Sequence, residues 1–332
     1  MNKRSSEQLK GIAILLVVFG HLFVTKFINS SNAAFGYLGA QGVAIFLILS
    51  GYGMTTSFLK KGMDHRFLVR RLRTVLLPYS LVTLIWFMYD YSKGIIYPAK
   101  MIALSLIGLD FQLTMDATMW YISFILMWYL IFYLVFSLKL PNILKVGLLF
   151  GFAYLLRYHS RVSFTEPVYW QWGLHAVMFP LGALFALVRL ENLSEKTINL
   201  GLSFSGIAGL GMYLINLKDN ALGLRPYMLS NLGFAIATVS LMIILERFGL
   251  YSRFLRFIGS ISYEIYLFEA VFMYKLCLPY VLPNKVLSLG LYILVLIGSS
   301  LLLKNVLRFS LSAVSRKLNL NREEVQGQGL SG

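Results

Sequence analysis

Long apolar segments dominate the hydropathy pattern of the chain. Ten of them run with few interruptions, and most reach the ~20 residues that a helix needs to cross a bilayer. The pattern therefore predicts an all-α fold, a polytopic transmembrane helix bundle of about ten spans. The first segment is long and contains a histidine, so we interpret it as an uncleaved span. The segments are 9–28, 38–58, 74–92, 118–138, 142–157, 171–189, 198–216, 227–245, 257–279 and 286–308.

The polar positions between these segments predict how the chain is organised. The connections are short, and the longest, around 93–117, contains an apolar stretch suited to lie flat at the outer interface. We predict one transmembrane domain over 1–318. The polar, glycine-rich residues 319–332 are expected to form a disordered cytoplasmic tail.

Basic residues are distributed unevenly between the two sides of the predicted bundle. An even number of spans places both termini on one side, and 21 of the 30 Lys and Arg residues fall there. Because cytoplasmic loops are enriched in Lys and Arg, both termini are predicted to be cytoplasmic in a cell membrane. The net charge of +16 then reflects topology and contact with membrane lipids, and nucleic acid is not an expected partner.

Composition narrows the class of protein further. Hydrophobic residues make up 58% and charged residues 13%, with a mean hydropathy of +0.71, which excludes a disordered chain and an ordinary soluble enzyme. The single cysteine, Cys277, allows no intrachain disulfide and is interpreted as a small buried residue. No metal site is predicted, and nucleotide-binding P-loops, metalloprotease His pairs and hydrolase nucleophile elbows are missing from the sequence.

Four ionisable residues stand out inside predicted spans, where such groups are costly and often functional. His21 lies twelve residues beyond Leu9, about 18 Å along a helix, and a neutral imidazole there could take a proton from a hydroxyl. Glu264 and Glu269 lie five apart on one span, so at most one is expected to face His21 directly. His21 could instead be a structural histidine bonded to a neighbouring helix, and each glutamate could instead be a carboxylate paired with an arginine or a backbone donor. His175 is interpreted as an interfacial histidine.

A basic stretch precedes the third span. Arg66, Arg70 and Arg73 recur at spacings of four and three, so they share one helix face. Guanidinium groups pair bidentately with phosphate, which suggests a cytosolic anion site for a phosphorylated donor. The alternative is a positively charged anchor that only fixes topology.

Six stretches, in order, resemble the integral-membrane acyltransferase family 3. They are EQLKGIAILLVVFGHLF, LGAQGVAIFLILSGYGM, FLVRRLRTVLLPY, TMWYISFIL, FPLGALF and IGSISYEIYLFE, and the resemblance covers nearly the whole chain. It implies about ten spans, an acyl-coenzyme A donor and a hydroxyl acceptor on a sugar or lipid-linked glycan. The family's essential histidine falls on His21, and its paired arginines fall on Arg70 and Arg73.

The chain departs from the family pattern at three positions. Glu7 and Lys10 replace Asp and Arg while keeping the charge. Glu269 stands where a second histidine is common, which argues against a two-histidine mechanism.

The resemblance and the residues together predict a membrane O-acyltransferase, most simply an O-acetyltransferase. Acetyl-coenzyme A or another acyl-coenzyme A is expected as co-substrate, with no bound cofactor, and a cell-surface glycan or lipid-linked saccharide as acceptor. In this hypothesis His21 is the base, Glu264 or Glu269 orients it or binds the acceptor, and Arg66, Arg70 and Arg73 hold the coenzyme. Trp120, Tyr121 and Trp172 could stack on sugar rings or form a plain aromatic belt. A transporter or flippase for a polar lipid or glycolipid is the alternative, and a non-catalytic scaffold is a third.

Overall fold

The computed structural model of the protein describes residues 1–28, 33–64, 66–162, 167–188, 194–217 and 224–328. Its regular elements over these ranges are α-helices and short 3-10 turns. The chain divides into two compact units, Met1–Ser262 and Tyr263–Gly332. The predicted all-helical, polytopic class is thus confirmed.

Thirteen α-helices are numbered here in chain order over the described residues. They are α1 (Lys3–Val24), α2 (Leu38–Lys61), α3 (Phe67–Ser92), α4 (Ala99–Leu106), α5 (Trp120–Phe136), α6 (Asn142–Val162), α7 (Pro167–His175), α8 (Met178–Leu187), α9 (Glu195–Leu217), α10 (Leu224–Arg247), α11 (Arg253–Ser260), α12 (Ser262–Tyr274) and α13 (Lys285–Gln328).

Every predicted span falls on one helix or on a pair of consecutive helices. Seven helical segments in the described part of the chain are long and apolar enough to cross a membrane, and they belong to α1, α2, α3, α5, α9, α10 and α13. The other three predicted spans correspond to α6, to α7 with α8, and to α11 with α12. The total of ten spans stays a prediction.

The two helix pairs show where hydropathy alone misjudged the local structure. A turn at 176–177 separates α7 from α8, and Ile261 separates α11 from α12. Helix α11 is strongly amphipathic and carries Arg253 and Arg256 beside exposed Phe254 and Phe257. An amphipathic segment of that kind is typical of a helix in the plane of an interface rather than across it.

Two further predictions concern the C-terminal unit. Helix α13 runs to Gln328, while 329–332 lie outside the described residues, so the disordered tail over 319–332 stays a prediction. Cys277 is exposed and adopts a positive φ of 50° after α12, so its interpretation as a buried residue was wrong. Within this unit the Tyr292 hydroxyl donates to the Glu269 carbonyl oxygen at 3.2 Å, which ties α13 to α12.

Close helix contacts hold the N-terminal unit together around α2. A Cβ on Gly42 would clash with the Ala13 carbonyl of α1, and a Cβ on Gly51 would clash with the Phe179 carbonyl of α8. Gly182 of α8 meets the Ile48 carbonyl in the same way. Small residues allow membrane helices to approach this closely, so α1 and α8 pack directly against the α2 backbone.

Helices α2 and α10 run in the same direction. Their first turns meet where the Tyr37 and Tyr227 rings lie 4.7 Å apart. Near their other ends, the Met1 amino group donates to the Tyr52 hydroxyl at 2.9 Å and interacts electrostatically with Glu246. The end of α1, the start of α2 and the start of α10 therefore lie at one end of this unit.

Candidate functional site

His21 lies in the last turn of α1, directly over the first turn of α2. Gly20 brings the helices together, because a Cβ on Gly20 would clash with the backbone nitrogen of Gly39. A Cβ on Gly39 would lie 4.0 Å from His21 Nε2, so the imidazole reaches the start of α2. The side chain is half-buried. We call this region the histidine end.

The start of α2 gives the histidine end its electrostatic character. A 3-10 turn, Ala33–Tyr37, runs directly into α2, so the first α2 amides follow helical backbone instead of an open end. The aligned peptide dipoles add partial positive charge at this point. A carbonyl oxygen that becomes negative beside His21 would be stabilised there.

An accessible stripe runs along α2 away from the histidine end. Between Gln41 and Thr55 the positions that are not fully buried are Val43, Phe46, Ser50, Tyr52 and Gly53. Apart from Tyr52, they are spaced three or four residues apart, so they lie on one face of the helix. Two of them, Ser50 and Gly53, are small.

Polar groups gather beside the middle of this stripe. The Ser50 hydroxyl lies within hydrogen-bonding reach of the phenols of Tyr121 and Tyr129 on α5. The guanidinium of Arg71 on α3 interacts electrostatically with Tyr129 and lies over the Phe67 ring at 5.6 Å. Arg71 is half-buried, whereas its neighbour Arg70 is exposed. The spacing argument did not select Arg71, although the two adjacent arginines in the sequence could have made it a candidate.

The three predicted donor-binding arginines lie on the exposed side of the first turns of α3. Arg66 caps the helix, and Arg70 and Arg73 follow. Arg70 donates from both terminal nitrogens to the two Asp64 carboxylate oxygens, each at 3.0 Å. We call this region the arginine end. Its bidentate contact is the geometry with which arginine would hold a phosphate.

The tryptophans proposed for sugar binding lie in an aromatic cluster. Trp120 and Trp172 are 9% and 7% exposed, and Trp172 Nε1 donates to the Trp120 carbonyl oxygen at 3.4 Å. Trp172 also stacks on Phe124 at 5.6 Å. Tyr121 is half-buried. A sugar-binding role for Trp120, Tyr121 and Trp172 stays a prediction.

His175 is fully buried, so its interpretation as an interfacial histidine was wrong. Its Nδ1 lies 2.9 Å from the Gln171 carbonyl oxygen, and its Nε2 lies 3.1 Å from the Ala40 carbonyl oxygen. The ring also stacks on Trp120 at 5.3 Å. His175 therefore ties α7 to the first turn of α2, next to the position that His21 reaches.

Glu264 and Glu269 both lie on α12. Glu269 is fully buried and Glu264 is half-buried. Their predicted role beside His21 stays a prediction. Among the residues that the structure describes, no group of three His, Cys, Asp or Glu side chains could hold a metal ion.

The fold and the site define a multi-pass membrane protein with a histidine placed against a helix N-terminus. Comparison with protein families matches an acyltransferase domain, acyltransferase family 3, over residues 4–304. The chain belongs to this family and is a membrane acyltransferase. No match was found among curated proteins or among solved structures.

Proposed function

We propose that the protein transfers an acyl group, most simply acetyl, from acyl-coenzyme A to a hydroxyl of a cell-surface glycan or lipid-linked saccharide. The observation that carries this proposal is the position of His21 over the first turn of α2. A base beside the positive end of a helix dipole provides two components of acyl transfer to a hydroxyl, which are removal of the proton and stabilisation of the negative oxygen.

In the proposed reaction, His21 removes the proton of the acceptor hydroxyl as its oxygen attacks the thioester carbonyl carbon. The partial positive charge at the start of α2 stabilises the oxygen that becomes negative. The carbon–sulfur bond then breaks, and the coenzyme A thiolate leaves and takes a proton. The products are the acyl ester and free coenzyme A.

The donor is proposed to enter from the arginine end, where Arg66, Arg70 and Arg73 bind its phosphates. Helix α2 joins the two ends, and its 24 residues span about 36 Å. The extended arm of the coenzyme would lie along the accessible stripe, past Ser50 and Gly53. Arg71 would contact the part of the donor that lies between the exposed arginines and the stripe.

We further propose that both termini are cytoplasmic, because of the excess of basic residues on their side. The histidine end then faces the outer leaflet, where a surface glycan or its lipid-linked precursor is accessible. Glu264 or Glu269 is proposed to orient His21 or to bind the acceptor. Family membership argues against the transporter and scaffold alternatives.

The direct test replaces the proposed base. His21→Ala should lower glycan O-acylation at least a hundredfold, the lower range for general base catalysis. Release of free coenzyme A from acetyl-coenzyme A should fall in parallel. His159→Ala is the matched control, because His159 is an exposed histidine on α6. Full activity of a normally expressed His21→Ala protein would disprove the assignment.

A further inference from the structure

A groove outside the proposed catalytic region lies between α6 and the starts of α8 and α10. Its volume is about 380 Å³, which is within the range of small-ligand sites. Its lining combines two cations with aromatic and apolar side chains. The lining residues used below are Phe150, Tyr154, Arg157, Tyr158, Arg225 and Met228. We call it the Arg157–Arg225 groove.

The charges in this groove select an anionic ligand. Arg157 is only 9% exposed, so its guanidinium is held within the protein, while Arg225 is exposed in the first turn of α10. The described lining residues include no carboxylate. The first turns of α8 and α10 add partial positive charge. Two guanidiniums beside one cavity favour a phosphate, to which each can donate two hydrogen bonds.

The groove opens on the outside of the helix bundle. Tyr154 and Tyr158 are 70% and 61% exposed, and the neighbouring Leu155 is 63% exposed. In a multi-pass membrane protein, an exposed apolar surface of this kind faces lipid. Tyrosine is typical of the interface between hydrocarbon and headgroups. A ligand could therefore keep a hydrocarbon chain in the bilayer while its headgroup enters the groove.

The groove lies at the same end of the N-terminal unit as His21. Arg225 is two residues from Tyr227, whose ring contacts Tyr37, and Tyr37 is two residues from Gly39, against which His21 lies. On its other wall, the lining residue Val177 is two residues from His175, which contacts the first turn of α2. A short series of contacts thus connects the groove with the histidine end.

We propose that the Arg157–Arg225 groove binds the phosphate of an amphiphilic acceptor, a lipid-linked saccharide, and holds its sugar toward the histidine end. This inference rests on the proposed function for the role of the ligand. Binding of the phosphate rests on the groove alone. Arg157 and Arg225 are binding residues in this proposal and take no part in the transfer itself.

The test measures binding separately from catalysis. The full-length protein is reconstituted in phosphatidylcholine nanodiscs and titrated with farnesyl phosphate or with uncharged farnesol, using intrinsic tryptophan fluorescence and thermal stability as readouts. Farnesyl phosphate should bind at least about tenfold more tightly than farnesol. Arg157→Gln and Arg225→Gln should each remove most of that difference. Lys100→Gln, which removes an exposed cation from α4, should leave it unchanged.

Three results would overturn the proposal. In the first, farnesol binds as tightly as farnesyl phosphate. In the second, neither arginine variant weakens the binding of farnesyl phosphate. In the third, inorganic pyrophosphate binds as tightly as farnesyl phosphate. If Arg157→Gln does not fold, Arg157→Lys replaces it and should weaken farnesyl phosphate binding only in part, because lysine keeps the charge but cannot donate two parallel hydrogen bonds. His21→Ala should retain full binding of farnesyl phosphate. If His21→Ala also retained acyl transfer, the catalytic assignment would fail while the groove would stand.

Discussion

The two ends of α2 hold their candidate residues in different ways. At the histidine end, Gly20 sets the distance between α1 and α2, and fully buried His175 contacts Ala40. At the arginine end, Arg70 and its partner Asp64 have side chains that are 57% and 50% exposed. The histidine end is therefore held by contacts with backbone atoms, whereas the candidate arginine at the arginine end is held by a solvent-exposed ion pair.

This difference agrees with how precisely acyl transfer requires each of its two substrates to be positioned. General base catalysis requires a base within hydrogen-bonding distance of one particular hydroxyl, so small displacements are costly. Binding of a flexible coenzyme by its phosphates tolerates side chains that move. We therefore expect substitutions at the histidine end to affect folding and catalysis together, and substitutions at the arginine end to affect donor affinity alone.

The largest effect is expected where α1 meets α2. Gly20→Val would force the helices apart, because backbone atoms of Gly39 and Leu38 oppose the new side chain. Overpacking costs about 1–3 kcal/mol, and acyl transfer should be lost because His21 moves with α1. Thermal unfolding in detergent and an acylation assay measure the two effects.

Gly201→Val is the matched control for that variant. Gly201 lies on α9, and a Cβ there would have no neighbour within 4 Å. It should leave both stability and activity nearly unchanged. A stable and fully active Gly20→Val protein would show that the close contact does not position His21.

A second substitution tests whether the stripe on α2 connects the two ends. Gly53 is exposed, and a Cβ there would have no neighbour within 4 Å. Gly53→Leu should therefore change stability by no more than about 0.5 kcal/mol. A bulky side chain on the stripe should nevertheless obstruct the coenzyme arm and lower acyl transfer at least about tenfold.

The control for Gly53→Leu is Gly147→Leu on α6, which also points into open space. It should retain activity. Unchanged activity of Gly53→Leu would mean that the donor does not pass along this face of α2, and the route between the arginine end and His21 would have to lie elsewhere.

The same contrast explains what could be predicted from the sequence. Hydropathy predicts the helices because a span needs a long apolar run, and His21 became a candidate because a histidine inside a span is costly. Hydropathy does not say which face of a helix is covered. The burial of His175 depends on its contact with Ala40 of α2, and the electrostatic interaction of half-buried Arg71 with Tyr129 also joins helices distant in sequence.

The helix breaks and the groove were missed for related reasons. The turn at 176–177 lies between His175 and Pro180, but the mean hydropathy of the stretch stays high across both residues, so it was interpreted as one span. The Arg157–Arg225 groove joins two residues that are 68 positions apart, each of which resembles an ordinary charge near the end of a span. Only the packing of α6 against the starts of α8 and α10 brings them together.

The smallest effect is expected at the arginine end, where Asp64→Asn removes the carboxylate that pairs with Arg70. The pair is exposed, so its loss should lower the free energy of unfolding by less than about 1 kcal/mol. If Arg70 binds phosphate, Asp64→Asn should lower the KM for acetyl-coenzyme A about two- to fivefold. The effect is small because the ion pair that competes with the phosphate for the Arg70 guanidinium is a weak surface pair. The kcat should not change. Arg70→Gln is the companion variant and should raise the same KM. A KM that rises in Asp64→Asn would instead show that Asp64 holds Arg70 in place for the donor and does not compete with the donor.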